Sequence, residues 1–228
     1  MGVVKMIKVK WLRFSGGLNS KDVVKGLKRL EYSSAGVDGF QIVRFREEYV
    51  EGKYIERVEY EEVVKDPFGG ELVSNRVIYN QVDFTISLDS RVLELLSPPR
   101  SLVKFVTRLG EACDFNVSVE PLFLDLGSFG DRLEFIKFNF FEKSIVVSDL
   151  LLAAGVLARV VARGKAGVGD ALAQVIGDRP YKVNSISYSS NNPDIRASFS
   201  ISSDCALRVS GRDSVRVVSE IRTFLQSV

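Results

Sequence analysis

Residues 40–64 read FQIVRFREEYVEGKYIERVEYEEVV, and this stretch decides the fold class. β-branched and aromatic residues recur through it, and Glu51-Gly52 interrupts them near the middle. Two β-rich runs separated by a short glycine-containing segment are typical of a hairpin. The stretch therefore predicts two antiparallel strands, over 40–50 and 53–64, joined by a turn at Glu51-Gly52.

Further strands and helices are predicted on both sides of this hairpin. Alternating apolar residues over 82–88 indicate another strand, and an apolar stripe over 102–113, after Pro98-Pro99, indicates an amphipathic helix. The apolar run 150–158 has no polar face, which is typical of a helix buried on most sides. Phe105 and Leu152 are accordingly expected in the core. Similar patterns predict strands at 4–14, 115–124, 133–141, 181–188 and 195–201, and helices at 20–32, 170–176 and 212–225.

Hairpins dominate this order of elements over long crossover connections. The sequence thus predicts an α+β protein with hairpin-rich, mainly antiparallel sheets and helices packed on one face. The turn-rich residues 127–131 mark a candidate boundary between an N-terminal half, 1–127, and a mildly basic C-terminal half, 128–228. A single continuous domain fits the same pattern nearly as well.

The composition argues against several classes of catalytic and metal-binding protein. The 228 residues include no histidine, which removes the commonest general base and the commonest metal ligand. Cys113 and Cys205 are far apart and in no paired spacing, so neither a zinc site nor a disulfide framework is indicated. We therefore expect a protein that is not an enzyme and that needs no cofactor.

The overall charge indicates no class of partner, and the hydropathy pattern predicts no membrane segment. With 31 basic and 29 acidic side chains the formal net charge is +2, so no strong field covers the whole protein. The longest charge-free apolar run, 150–158, is less than half of the roughly 20 residues that a membrane-spanning helix needs. The N-terminus mixes lysines with apolar residues, unlike a signal peptide. These features predict a cytoplasmic protein.

Three motifs imitate catalytic or phosphate-binding sites. The glycine-rich residues 163–169 lack the spacing of a phosphate loop and favour a turn. Asp38 with Glu51-Gly52-Lys53 imitates a metal-dependent nuclease, but the predicted hairpin tip favours an exposed turn. Asp125 and Asp131 form a similar carboxylate pair, for which loop or helix capping is the expected use.

The first hairpin is rich in acidic residues. Between residues 47 and 71 there are nine acidic and three basic side chains. One interpretation is an exposed edge that its charge protects from aggregation. The other is a docking surface for a basic protein, which such a patch would steer. The candidate partner-binding residues are Glu47, Glu48, Glu56, Glu59, Glu61 and Glu62.

A second charged region lies near the C-terminus. Arg208, Arg212 and Arg216 are candidate phosphate-binding residues, because arginines beside hydroxyls hold phosphate groups. The hydroxyls come from the strand 195–201 and its end, where alternation places Ser198, Ser200 and Ser202 on one side. A solvated helix face over a polar sheet face remains the alternative interpretation.

The sequence therefore leaves three functions in order of preference. The first is a non-catalytic macromolecule-binding protein, a subunit, inhibitor or regulator, that contacts a protein partner through the acidic hairpin. The second is a nucleic-acid-binding module that uses the C-terminal arginines. The third is a carboxylate-dependent hydrolase.

Overall fold

The computed structural model describes residues 6–165 and 167–226, which divide into two compact units. We call residues 13–119 the N-terminal unit, and residues 1–12 with 120–228 the C-terminal unit. The division at 127 that the sequence favours stays a prediction. The start of the expected strand 4–14 and Ala166 of the glycine-rich motif lie outside the described residues.

The N-terminal unit contains a mainly antiparallel sheet and two helices. The strand order is β2-β3-β4-β5-β1, and β6 also pairs with β1. The elements are β1 (Ile7–Gly16, shared with the C-terminal unit), α1 (Ser20–Arg29), β2 (Asp38–Phe45), β3 (Tyr49–Lys65), β4 (Glu71–Ser87), β5 (Val92–Leu96), α2 (Val103–Ala112) and β6 (Val117–Pro121).

An aromatic cluster forms the core of the N-terminal unit. Phe105 of α2 is 1% exposed, as predicted, and its ring centroid lies 5.7 Å from those of Tyr54 and Phe84. Phe40 of β2 completes the cluster. Tyr54 and Phe84 lie at alternately buried positions of β3 and β4, so they belong to the faces of these strands that meet Phe105 of α2.

The C-terminal unit also has an antiparallel sheet, with the strand order β1-β11-β10-β9-β7-β8. The predicted hairpin of 181–188 and 195–201 is present as β9 and β10. The elements are α3 (Phe129–Arg132), α4 (Glu134–Asn139), β7 (Phe140–Ala153), β8 (Val156–Arg163), α5 (Val168–Ile176), β9 (Lys182–Ser190), β10 (Ala197–Ser202), β11 (Ala206–Gly211) and α6 (Ser214–Gln226).

These elements confirm the broad prediction of a sheet-rich α+β protein with antiparallel pairing. The packing of all helices on one face stays a prediction. No helix among the described residues is long and apolar enough to cross a membrane.

Two predicted elements are wrong in type. Residues 150–158 form the end of β7 and the start of β8, not a helix, and Leu152 is 52% exposed. The strands meet at a two-residue turn between the paired Ala153 and Val156, where Gly155 has a φ of +76°. Most of the expected strand 133–141 is the helix α4.

The predicted turn at Glu51-Gly52 is also wrong, because both residues lie inside β3. A Cβ atom at Gly52 would lie 2.6 Å from the ring of Phe84, so this glycine makes room for a core aromatic. The chain turns instead at 46–48, between β2 and β3, and at 66–70, between β3 and β4.

Candidate functional site

β3 and β4 continue as a two-stranded ribbon beyond the other strands of their sheet. Pairing of β2 with β3 ends at Asp38 and Glu56, and pairing of β4 with β5 ends at Asp83 and Leu96. β3 and β4 remain paired from Arg57 opposite Tyr79 to Lys65 opposite Glu71. We call residues 57–79 the arm.

The structure does not gather the six candidate acidic residues into one patch. Glu56 and Glu62 share a face of β3 with the core residue Tyr54, whereas Glu59 and Glu61 lie on the opposite face. Glu47 and Glu48 belong to the turn before β3, at the end of the strand far from the tip of the arm. From the sequence the six form one acidic surface, because residues 40–64 are predicted to be a single hairpin with its turn at Glu51-Gly52.

Basic neighbours neutralise half of these candidates. Glu56 accepts a hydrogen bond from the ammonium group of Lys104, which lowers the pKa of that carboxyl. Glu59 lies 2.6 Å from Arg57, and Glu62 lies 2.5 Å from Arg76. Among the described residues, the candidates without an ion-pair partner are Glu47, Glu48 and Glu61.

The arm is also an apolar surface, which the charge pattern does not reveal. Phe68, in the turn at its tip, is 97% exposed. The turn is closed by Asp66, whose carboxylate accepts hydrogen bonds from the backbone N–H groups of Phe68 and Gly70. Large apolar side chains are exposed on both faces of the arm: Tyr60, Val63, Val64, Leu72, Val73, Val77, Ile78 and Tyr79.

A different polar arrangement crosses the sheet of the C-terminal unit. The register places one residue from each of six strands directly opposite the next, and directly paired residues share a face of the sheet. The resulting line, which we call the serine row, runs from β1 to β8 through Lys8, Arg208, Ser200, Ser187, Ser144 and Arg163.

The serine row is open on its face of the sheet. Its three serines are half-buried, whereas their strand neighbours Phe199 and Ile186, which point to the other face, are 3% and 4% exposed. Within residues 6–165 and 167–226, the three serine hydroxyls have no hydrogen-bond partner. The row therefore offers three aligned hydroxyls for a ligand.

Cations flank the hydroxyls at both ends of the row. Lys8 and Arg208 lie at one end and Arg163 at the other, and all three are exposed. In the part of the chain that the structure describes, none of them has a carboxylate partner. Lys10 differs, because it forms a 2.5 Å ion pair with Asp204. The row thus combines free hydroxyls with free positive charge.

Two adjoining grooves follow this face. One has a volume of about 530 Å³ and is lined by residues of the serine row, including Ser144, Arg163 and Arg208. The other, of about 620 Å³, lies beside Asn192 and shares Ser198 and Ser210 with the first. The hydroxyl oxygens of Ser198 and Ser210 lie 2.9 Å apart and satisfy each other.

Of the three arginines that the sequence singles out, Arg208 alone belongs to the serine row. Arg212 is exposed in the turn between β11 and α6. Arg216 lies over the ring of Phe135, 5.3 Å from its centroid. Ring contacts then lead through Phe140 to Phe199, whose side chain points away from Ser200. Arg216 is therefore on the opposite side of the sheet from the row.

The other members of the row were missed for a physical reason. The alternating serines of 196–202 and the arginine at 208 are visible in the sequence. The register of strands that are far apart in the chain brings Ser144, Ser187 and Arg163 into line with them. Local sequence patterns do not determine that register.

The carboxylates of the nuclease-like motif are each engaged by neighbours. Asp38 accepts hydrogen bonds from Arg108, at 2.9 Å, and from the hydroxyl of Tyr54, at 3.1 Å. Glu51 binds Arg44 through both carboxylate oxygens, and Lys53 lies 3.5 Å from Asp83. Among the described residues no group of three or more side chains could hold a metal ion.

The remaining motifs have local structural roles. Asp125 accepts hydrogen bonds from the backbone of Gly127 and the hydroxyl of Ser128, which is the loop capping that its position suggests. At the start of α5, the backbone N–H of Gly169 donates to Glu142, so a carboxylate of the chain occupies the place where a phosphate would bind. Burial raises the pKa of Glu142.

Both cysteines are buried and free. Burial raises the pKa of each thiol to about 11, so neither is a reactive thiolate near neutral pH.

Comparison with family models and with curated proteins gives no relative from which to transfer a function. No protein-family model matches the chain, and no curated protein matches it.

Proposed function

We propose that the protein binds single-stranded nucleic acid, without catalysis, on the serine row of the C-terminal unit. The observation that carries this proposal is the row itself, in which three serine hydroxyls lie between cations and neither group has a partner among the described residues. Arginine, lysine and serine are the side chains that most often contact phosphate and sugar in protein–nucleic acid complexes. The row therefore matches the backbone of a nucleic acid in both charge and hydrogen-bonding capacity.

The dimensions of the row suit an extended strand. Neighbouring β-strands lie about 4.8 Å apart, so the five steps from Lys8 to Arg163 span roughly 24 Å. Open sheet faces are the surfaces on which several families of domain hold single-stranded nucleic acid. A duplex is a poorer match, because all six residues of the row lie on strands of one sheet, whereas a duplex groove admits an inserted helix or two-stranded ribbon.

The row predicts weak sequence preference. Base recognition on a sheet face depends on aromatic side chains that stack against the bases. The serine row contains none, and Trp11, the single tryptophan of the chain, is fully buried. Phosphate and sugar contacts position a strand but do not distinguish its bases.

Fluorescence anisotropy with labelled 20-nucleotide RNA and DNA strands tests the proposal. We expect the wild-type protein to bind at low salt and the variant Arg208→Glu with Arg163→Glu to lose most of that affinity. The reason is that each reversal replaces attraction to a phosphate by repulsion. A duplex of the same length should bind more weakly than either single strand.

A matched control separates the row from charge in general. Arg216→Glu with Lys137→Glu removes the same charge from α6 and α4, and Arg216 lies on the side of the sheet away from the row. This variant should bind like the wild type. Equal losses in both variants, or no binding by the wild-type protein, would contradict the proposal.

A second candidate function is docking of a protein partner by the arm. The exposure of Phe68 and of apolar side chains on both faces of the arm supports it, because contiguous exposed apolar surface marks interaction sites. In this reading the acidic residues Glu59, Glu61 and Glu62 guide a basic partner to the arm.

Purification at low salt tests this second candidate. A basic protein that co-elutes with the wild type and is lost from Glu59→Lys, Glu61→Lys, Glu62→Lys supports docking on the arm. Its retention by the variant argues against the acidic residues as contacts. Nucleic acid in the eluate instead supports the serine row.

We also propose the cytoplasm as the site of action. Two buried, unpaired thiols suit a compartment in which cysteines remain reduced.

A further inference from the structure

The two outer edges of the arm lack strand partners in the described part of the chain. On the β3 side, the backbone N–H of Arg57 still donates to Val37, so the free edge begins at Val58. On the β4 side, pairing with β5 starts at Asp83, so the edge from Glu71 to Gln81 is free. Backbone N–H and C=O groups on such edges are templates for another strand.

Charge protects one edge and leaves the other unprotected. On the free edge of β3, four of the eight residues from Val58 to Lys65 are charged. On the free edge of β4, which reads ELVSNRVIYNQ, two of eleven are charged, namely Glu71 and Arg76. Since charged side chains are the usual protection against edge pairing, the β4 edge is the one suited to pairing.

The β4 edge is complementary to itself. If two copies run antiparallel about Asn75, Val73 of one copy lies opposite Val77 of the other, and Leu72 opposite Ile78. Arg76 then faces Ser74 and Glu71 faces Tyr79, so no like charges are opposed. A register centred on Arg76 would place two arginines opposite each other, which is unfavourable.

Pairing would also shield the flanks of the exposed apolar side chains of β4. Leu72, Val73, Val77, Ile78 and Tyr79 are between 43% and 68% exposed in the single chain. An isolated two-stranded ribbon is at best marginally stable in water, and independent stability requires three or more strands with an apolar face or packing against a helix. Two arms joined at β4 form a four-stranded sheet.

We propose that the β4 edge of the arm binds a second copy of this chain, as an antiparallel two-fold pair centred on Asn75. This inference rests on the second candidate function only in that the arm is a docking surface, and its occupant is a second copy of the chain in place of a basic partner. It is independent of nucleic acid binding by the serine row.

The test compares two variants that differ at one position. Val73→Lys with Val77→Lys places lysine opposite lysine across the proposed interface, whereas Val73→Glu with Val77→Lys places glutamate opposite lysine. Within its own arm, residue 77 faces Glu59 in both variants, and residue 73 faces Val63. The difference between them therefore reports the contact between copies.

Sedimentation velocity on the purified full chain measures the outcome. We expect wild type and Val73→Glu/Val77→Lys to sediment as dimers, and Val73→Lys/Val77→Lys to fall to half that mass. Val63→Lys, on the charged β3 edge, should remain a dimer. Circular dichroism checks that every variant is folded.

Two results would overturn the inference. In the first, the wild type sediments as a monomer at every concentration measured. In the second, Val73→Lys/Val77→Lys and Val73→Glu/Val77→Lys sediment with the same mass. A foreign protein that still binds the arm of a monomeric wild type would preserve the docking function while excluding the second copy.

Discussion

At the scale of single residues, burial follows the type of element that a residue belongs to. Phe105 and Leu152 are both large and apolar, and the sequence predicts both in the core. Phe105 is buried because its helix has one apolar stripe facing the sheet, whereas Leu152 lies near the end of a strand in a protruding hairpin. A correct choice of helix or strand therefore decides whether a core prediction succeeds.

Truncation of the two side chains gives unequal losses of stability. Phe105→Ala removes a ring that contacts three aromatic neighbours, and we expect it to lower the free energy of unfolding by about 3–5 kcal/mol. Leu152→Ala should change it by less than about 0.5 kcal/mol, because the side chain is half exposed. Urea denaturation measures both, and similar losses would mean that Leu152 is buried in solution.

Glu56 illustrates a candidate contact residue with a structural role. Its hydrogen bond from Lys104 lowers its pKa in the folded state, so the carboxylate stabilises the fold above the ordinary glutamate pKa. That contribution is lost as the pH falls through the lowered folded-state pKa.

Glu56→Gln should therefore reduce stability at neutral pH, and the difference from wild type should shrink as the solution is acidified below about pH 4. Thermal unfolding between pH 7 and pH 3 measures this trend. Glu61→Gln is the control, because Glu61 has no ion-pair partner among the described residues and should show no such dependence. If the loss of stability in Glu56→Gln stays constant with pH, the ion pair with Lys104 is not its cause.

At the scale of elements, patterns of alternation locate strands more reliably than they locate turns. The sequence predicts β strands in 40–64, but the turn fails because Gly52 serves packing against Phe84 rather than reversal of the chain. Similarly, the apolar run 150–158 fits the pattern of a buried helix and that of a strand. The chain forms a hairpin there, with Gly155 at a positive φ in the turn. Local patterns do not separate these uses of glycine.

Local sequence patterns also predict only part of the candidate site. Ser198, Ser200 and Ser202 can be assigned to one face from the sequence, because strand alternation is local. The alignment of Ser200 with Ser187, Ser144 and two flanking arginines depends on the register of four further strands. That register is set by long-range packing, so no part of the sequence taken alone contains the row.

At the scale of the whole molecule, the net charge of +2 is a poor guide to nucleic acid binding. A chain with nearly equal numbers of acidic and basic side chains has no strong overall field. Its affinity for nucleic acid nevertheless depends on the charges that contact the phosphates. Lys8, Arg208 and Arg163 lie on one open face of the sheet without carboxylate partners in the described residues. The net charge of the chain does not reveal this local excess of positive charge.

The salt dependence of binding distinguishes local charge from total charge. Each phosphate contact with a single strand contributes about 0.7 to the slope of log affinity against log salt concentration. Arg208→Gln with Arg163→Gln removes two contacts, so the slope should become shallower by roughly 1.4. Arg216→Gln with Lys137→Gln lowers the net charge by the same amount but touches no phosphate, and its slope should equal that of the wild type. Anisotropy titrations from 50 to 200 mM salt, a range of about fourfold over which such slopes are resolved, provide the comparison. If the two double variants shift the slope equally, the protein senses nucleic acid through its overall charge, and the serine row is not the binding surface.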